Sequence, residues 1–143
     1  MFESFKRFFR KPGTPAGVSI GTKQTNLVSS LIADAIELQL TMAQRGGPSE
    51  WSDRTRSTVL GYIAAAGEAM TNDPGGPQAM LVCVQASQKV LKNTFNAEHI
   101  LTDFENLASG GDANYAAGAI AGYEDTQRLK QKRPLIGLLT ALQ

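Results

Sequence analysis

Large apolar residues recur at intervals of three and four along most of this chain, and clusters of glycine, proline, asparagine and aspartate separate the segments that carry them. This spacing places the apolar side chains on one face of an α-helix. No segment shows the sustained apolar and polar alternation that is typical of a half-buried strand. The pattern therefore predicts an all-α fold, a compact bundle of about five helices over residues 22–143 with short connections between mostly antiparallel neighbours.

Turn-forming residues set the expected limits of these helices. We expect helices over about residues 25–45, 52–71, 77–95, 96–109 and 113–132, and a short apolar helix after Pro134. Ser49 or Ser52 can cap the second helix, Asn96 the fourth and Asp112 the fifth. In the first helix one apolar stripe is expected, formed by Leu27 or Val28, Leu31, Ala35, Leu38 and Met42 and widened by Ile32 and Ile36. In the fifth, small residues predict a close approach of another backbone, at Ala117, Gly118, Ala121 and Gly122.

The first 21 residues differ from the rest of the chain. Residues 1–11 place Phe2, Phe5, Phe8 and Phe9 at helical spacing between Lys6, Arg7 and Arg10, which predicts a short amphipathic helical arm. Residues 12–21 contain two prolines and three glycines, which are typical of a linker. Three roles for the arm stay open: packing on this bundle or on a second copy, docking in a groove of another protein, or binding an anionic membrane surface.

Charge and cysteine content narrow the class of protein. Fourteen basic and thirteen acidic residues give a net charge of +1, so no global field favours nucleic acid. A second basic cluster, Arg128, Lys130, Lys132 and Arg133, is explained by the dipole at a helix C-terminus. One cysteine, no secretory signal and no apolar run long enough to span a bilayer predict a cytoplasmic protein, or one peripheral to the inner face of a membrane.

Few side chains of this sequence are suited to catalysis or to metal binding. His99 is the sole histidine, and Asp103 follows it by one helical turn, where a carboxylate could orient the imidazole. A metal site needs further ligands that the sequence does not supply, and Cys83 lies in an apolar segment where a thiol is inert. We therefore expect no metal, no cofactor and no catalytic residue.

These observations favour a non-catalytic protein interaction or adaptor domain, whose partner is another protein or a second copy of the chain. One alternative is a peripheral membrane protein anchored by residues 1–11. Another is a small-ligand binder or enzyme with a pocket between helices. Its polar lining would come from His99, Tyr62, Tyr115, Tyr123 or Glu68.

Overall fold

A computed structural model describes residues 22–92 and 96–143, with side chains from residue 24 onward. This part of the chain is all-α and contains no strand, which confirms the predicted fold class. Five helices pack together, followed by one short helix: α1 (Thr22–Met42), α2 (Asp53–Thr71), α3 (Pro77–Val90), α4 (Ala97–Ser109), α5 (Ala113–Lys130) and α6 (Gly137–Ala141). The predicted arm and linker lie outside the described residues.

The predicted caps account for three helix starts. Ser52, rather than Ser49, accepts a hydrogen bond from the backbone N–H of Thr55 at the start of α2. At the start of α4, Asn96 likewise accepts a hydrogen bond from the backbone N–H of His99. At the start of α5, Asp112 accepts one from the backbone N–H of Tyr115. Each side chain satisfies a backbone donor that the first helical turn leaves without a partner.

Two helices differ from the prediction by three or more residues at one or both ends. Helix α1 begins at Thr22 and ends at Met42, three residues earlier at both ends than expected. Helix α3 ends at Val90 instead of extending to residue 95, and Lys92 has a positive φ of 58° just beyond it. A left-handed residue stops the helical ladder, because it turns the chain away from the helix axis.

The apolar stripe expected on α1 divides between two faces of the helix. Leu27, Leu31, Leu38 and Met42 are exposed, whereas Ile32, Ile36 and Leu40 are buried with Ala33. The buried face also carries polar residues, namely Thr25, Ser29 and Gln39. Helix α1 is therefore apolar on both its inner and its outer side.

Helices α2 and α5 form the closest helix pair. A Cβ atom on Gly118 would lie 1.9 Å from the carbonyl oxygen of Thr58, and one on Gly122 would lie 2.4 Å from that of Tyr62. Only glycine permits the backbones to approach this far. The predicted close approach is confirmed at these two glycines, although Ala117 lies on the exposed side of α5.

The core lies where α1, α2 and α3 meet, and α4, α5 and α6 cover its remaining sides. Its largest fully buried side chains include Tyr62, Phe104, Ile36, Leu60, Ile63 and Leu138. Cys83 is also fully buried there, which confirms it as a core residue. This arrangement brings buried polar side chains of α1, α2 and α5 close to one another.

Candidate functional site

Asp125 of α5 is the centre of a buried polar network. Its side chain is 2% exposed, and each carboxylate oxygen accepts two hydrogen bonds. Oδ2 accepts from the Tyr62 hydroxyl at 2.7 Å and from Nε2 of Gln39 at 3.1 Å. Oδ1 accepts from the Arg128 guanidinium at 2.7 Å and from the backbone N–H of Gly137 at 2.9 Å. Four donors leave this carboxylate no accessible lone pair for a substrate.

The same network fixes α6 on the bundle. Gln39 of α1 accepts a hydrogen bond from the backbone N–H of Leu139 at 3.0 Å, so α6 is bonded both to α1 and to α5. Burial and the bond to Asp125 raise the pKa of Tyr62, which keeps its hydroxyl a neutral donor. The bond to Asp125 likewise raises the pKa of Arg128. We interpret the network as a structural connection between helices.

A small cavity lies beside this network, between α1, α2 and α5. Its volume is about 50 Å³, and most of its lining is apolar, including Leu31, Ala66, Met70 and Leu129. Ligand sites for metabolites usually measure several hundred Å³. This cavity is therefore too small to hold one.

A larger cleft of about 400 Å³ opens between the second half of α2 and the second half of α5. It is lined by Ala65, Glu68, Ala69, Asn72, Pro74, Tyr123, Gln127 and Lys130. This volume lies within the usual range for small-ligand sites. The cleft thus has the size and the polar groups that a binding site requires.

Glu68 is the unusual residue of this cleft. It is only 7% exposed, and its Oε1 atom has no hydrogen-bond partner among the residues that the structure describes. Burial raises the pKa of its carboxyl to about 7, because the charged form loses its hydration. A buried carboxylate oxygen without a donor is rare in folded proteins and costs stability.

Two other buried titratable side chains, which do not line the cleft, interact with the charge of Glu68. Burial raises the pKa of the Cys83 thiol and of the Tyr115 hydroxyl, and the charge of Glu68 raises both further. Cys83 directs its sulfur towards the carbonyl oxygen of Ile63, 3.6 Å away. Both groups are therefore neutral at physiological pH, and a neutral buried thiol is a poor nucleophile.

The outer face of α1 is the second surface with a distinctive composition. Leu27 is 67% exposed and Leu38 is 61% exposed, and Leu31 and Met42 lie on the same side of the helix. At 100° per residue these four positions fall within an arc of about 60°, and they extend along about 22 Å of the axis. We call these four residues the outer α1 face.

The residues proposed from sequence are distributed over several helices. His99 is exposed in the first turn of α4, and Asp103, one turn further along the same helix, accepts a hydrogen bond from Arg56 of α2 at 2.5 Å. Neither the small cavity nor the larger cleft includes His99 or Asp103. Of the other pocket residues considered, the structure brings Glu68 and Tyr123 to one cleft. The contact residues of the arm, Phe2, Phe5, Lys6, Arg7, Phe8, Phe9 and Arg10, lie outside the described residues.

Within residues 22–92 and 96–143, no three His, Cys, Asp or Glu side chains are placed to hold a metal ion. Over the same residues, no helix is both long enough and apolar enough to cross a bilayer. No protein-family model, no curated protein and no solved structure matches this chain.

Proposed function

We propose that this chain is a non-catalytic protein interaction domain that associates with a second copy of itself through the outer α1 face. The observation that supports the proposal is the placement of four large apolar side chains opposite the buried side of the same helix. Leu27, Leu38 and Met42 are more than half exposed, and Leu31, which is 46% exposed, also borders the small cavity between α1, α2 and α5. As part of the same proposal, the domain works in the cytoplasm, where its single thiol stays reduced.

The spacing along the outer α1 face favours a second helix of the same kind as its occupant. Leu27, Leu31, Asp34 and Leu38 follow one another at intervals of four, three and four residues. This is the spacing of a coiled-coil seam, in which each side chain inserts between residues of an identical facing helix. A two-fold axis near the middle of α1 would pair the face with itself and close the assembly as a dimer.

Asp34 is the polar exception within the seam. It is exposed, it lies near the midpoint of the outer α1 face, and it makes no ion pair with any described residue. In an antiparallel dimer the two Asp34 carboxylates would lie close to the two-fold axis and repel each other. A polar residue at such a position lowers the stability of the dimer but specifies its register.

The direct test measures molar mass by light scattering coupled to size exclusion, on the full chain from micromolar to near-millimolar concentration. We expect a concentration-dependent dimer, and we expect Leu31→Glu combined with Leu38→Glu to make the chain monomeric at every concentration. The matched control is Ile120→Glu, because Ile120 is equally exposed but lies on α5. The Ile120→Glu variant should remain a dimer over the same concentration range as the wild type.

Substitution of Asp34 distinguishes a second copy from a basic partner. Asp34→Leu removes the repulsion and extends the apolar seam, so the dimer dissociation constant should fall by about tenfold, equivalent to about 1.4 kcal/mol. If the outer α1 face instead bound a basic segment of another protein, Asp34→Leu would raise the dissociation constant of that complex, because the substitution removes the acidic contact of the segment. A wild-type chain that stays monomeric throughout, or a dimer that Leu31→Glu with Leu38→Glu leaves intact, contradicts the proposal.

A further inference from the structure

The Glu68 cleft contains a carboxyl group whose burial the fold itself does not explain. Asp125, the other buried carboxylate of the α2 and α5 interface, has four donors, whereas Oε1 of Glu68 has none among the described residues. Most buried polar atoms in native proteins are bonded, and exceptions call for an explanation. A donor brought by a ligand is the explanation that the cleft makes available.

The lining of the cleft favours a cation as that donor. Glu68 offers a carboxylate with an unused acceptor oxygen, and Tyr123 offers an exposed aromatic ring on the same lining. An ammonium or guanidinium group is attracted both to a carboxylate and to the face of an aromatic ring. Lys130 also lines the cleft but forms no ion pair with Glu68 within 4 Å, so it does not supply the missing partner.

We propose that the cleft between α2 and α5 binds a primary ammonium or guanidinium group on the carboxylate of Glu68. Such a cation would donate to Glu68 inside the cleft and stack against Tyr123 at its edge. Two sources carry this chemistry: the basic residues of the chain's own arm, Lys6, Arg7, Arg10 and Lys11, and a free small amine.

The arm can reach the cleft. Gln39 of α1 bonds to Tyr62 of α2, and Leu31 and Met70 line one cavity, so the two helices run antiparallel. The first turn of α1 therefore lies at the same end of the bundle as the last turn of α2, which contains Glu68. The ten residues of 12–21 span up to about 33 Å when extended, which is comparable to the diameter of a domain of this size.

Binding of the cation is coupled to the ionisation of Glu68. The cation binds the carboxylate, so association releases the carboxyl proton to solvent and lowers the pKa of Glu68. Among the described residues, Cys83 of α3 and Tyr115 of α5 are close enough to feel the charge of Glu68, and Lys130 of α5 lines the same cleft. The raised pKa values keep the thiol and the phenol neutral near pH 7, so neither group titrates together with Glu68.

The test follows the carboxyl carbon of Glu68 by NMR through a pH titration of the ¹³C-labelled full chain, with Glu68→Gln to assign its signal. The probe is n-butylammonium, and n-butanol is the neutral control of the same shape. We expect n-butylammonium to lower the pKa of Glu68 by about 1, and n-butanol to leave it unchanged. Glu98, which is exposed on α4, reports any general effect of added salt.

A variant of the full chain distinguishes the two sources of the cation. In a full chain with Lys6, Arg7, Arg10 and Lys11 all changed to Gln, the pKa of Glu68 rises if the arm occupies the cleft, and n-butylammonium then lowers it more than in the wild type. If a free amine is the natural ligand, the two proteins give the same Glu68 titration and the same response. The proposal is overturned if neither n-butylammonium nor removal of the arm charges moves the pKa of Glu68 further than that of Glu98. That outcome would leave the dimer of the outer α1 face unaffected, because it involves other residues.

Discussion

Replacement of Asp125 by alanine tests whether the buried network holds the bundle together. The substitution removes the acceptor of four donors that come from α1, α2, α5 and the backbone of α6. The Tyr62 hydroxyl and the Gly137 N–H would be left buried without a partner, and Arg128 would lose its closest counter-ion. We expect Asp125→Ala to destabilise the whole domain and to release α6 first.

The size of the effect follows from the geometry of the network. Truncation of one partner of a buried ion pair costs about 3–5 kcal/mol, because it leaves buried polar groups without that partner and without water. Domains of this size are stable by about 5–15 kcal/mol in total. Asp125→Ala should therefore remove about a fifth or more of the stability.

Urea denaturation of the full chain measures this loss, and Glu124→Ala is the matched control. Glu124 also pairs with Arg128, at 3.2 Å, but its side chain is half exposed. Exposed pairs contribute about 0–1 kcal/mol, so this variant should unfold close to the wild type. Hydrogen exchange adds a local measurement, in which the amide of Gly137 should lose protection in Asp125→Ala alone. A loss of stability below about 1 kcal/mol, or one equal to that of Glu124→Ala, would refute the reasoning.

Three further predictions concern other parts of the bundle. Gly118→Ala should destabilise the domain by about 2 kcal/mol or more in urea denaturation, because its Cβ would overlap the backbone of α2, whereas Gly47→Ala, with open space around it, should change the stability by less than about 0.5 kcal/mol. Glu68→Gln should stabilise the chain relative to the wild type at about pH 8 but hardly at about pH 5. The pKa of Glu68 is raised from an ordinary 4.5 to about 7, so the stabilisation of the wild type by its protonated carboxyl is fully present below pH 4.5 and is lost as pH rises through 7. Equal effects of Glu68→Gln at both pH values would contradict this reasoning. Cys83 should react with a thiol reagent only as fast as the domain opens, and a rate near that of a free thiol would contradict its burial between the helices.

The helix starts were predictable from sequence because local chemistry fixes them. Ser52, Asn96 and Asp112 each precede an apolar helical repeat, and each side chain bonds to the backbone three residues on. The close approach at Gly118 was predictable for a similar reason, since a small residue facing the core implies a near neighbour. Which helix that neighbour belongs to depends on the tertiary fold.

The inner face of α1 could not be identified by counting apolar residues. Leucines are concentrated on the side that faces outward, and the buried side includes Ser29 and Gln39. Gln39 is buried because Asp125, 86 residues later, and Leu139, 100 residues later, provide its hydrogen-bond partners. A polar residue at an inward position has no recognisable signal in sequence until those partners are known.

Asp125 itself had a weak signal that the sequence analysis overlooked. Gly118, Gly122 and Asp125 follow one another at intervals of four and then three residues, so Asp125 continues the face of α5 that carries the small residues and approaches α2. An acidic residue on a face that approaches another backbone so closely must be buried, and a buried carboxylate requires donors. This argument predicts a network at Asp125, although not the residues that complete it.

The two buried carboxyl groups of the α2 and α5 interface show where to look for function in this chain. Asp125 is ionically paired, and it accepts hydrogen bonds from residues of α1, α2, α5 and α6, so its burial is accounted for by the fold. Glu68 is similarly inaccessible but has an oxygen without a donor, next to a cleft large enough for a ligand. A fold gains no stability from such a group. Since the protein's own described contacts leave Oε1 of Glu68 without a donor, the cation proposed for this cleft would supply the missing one.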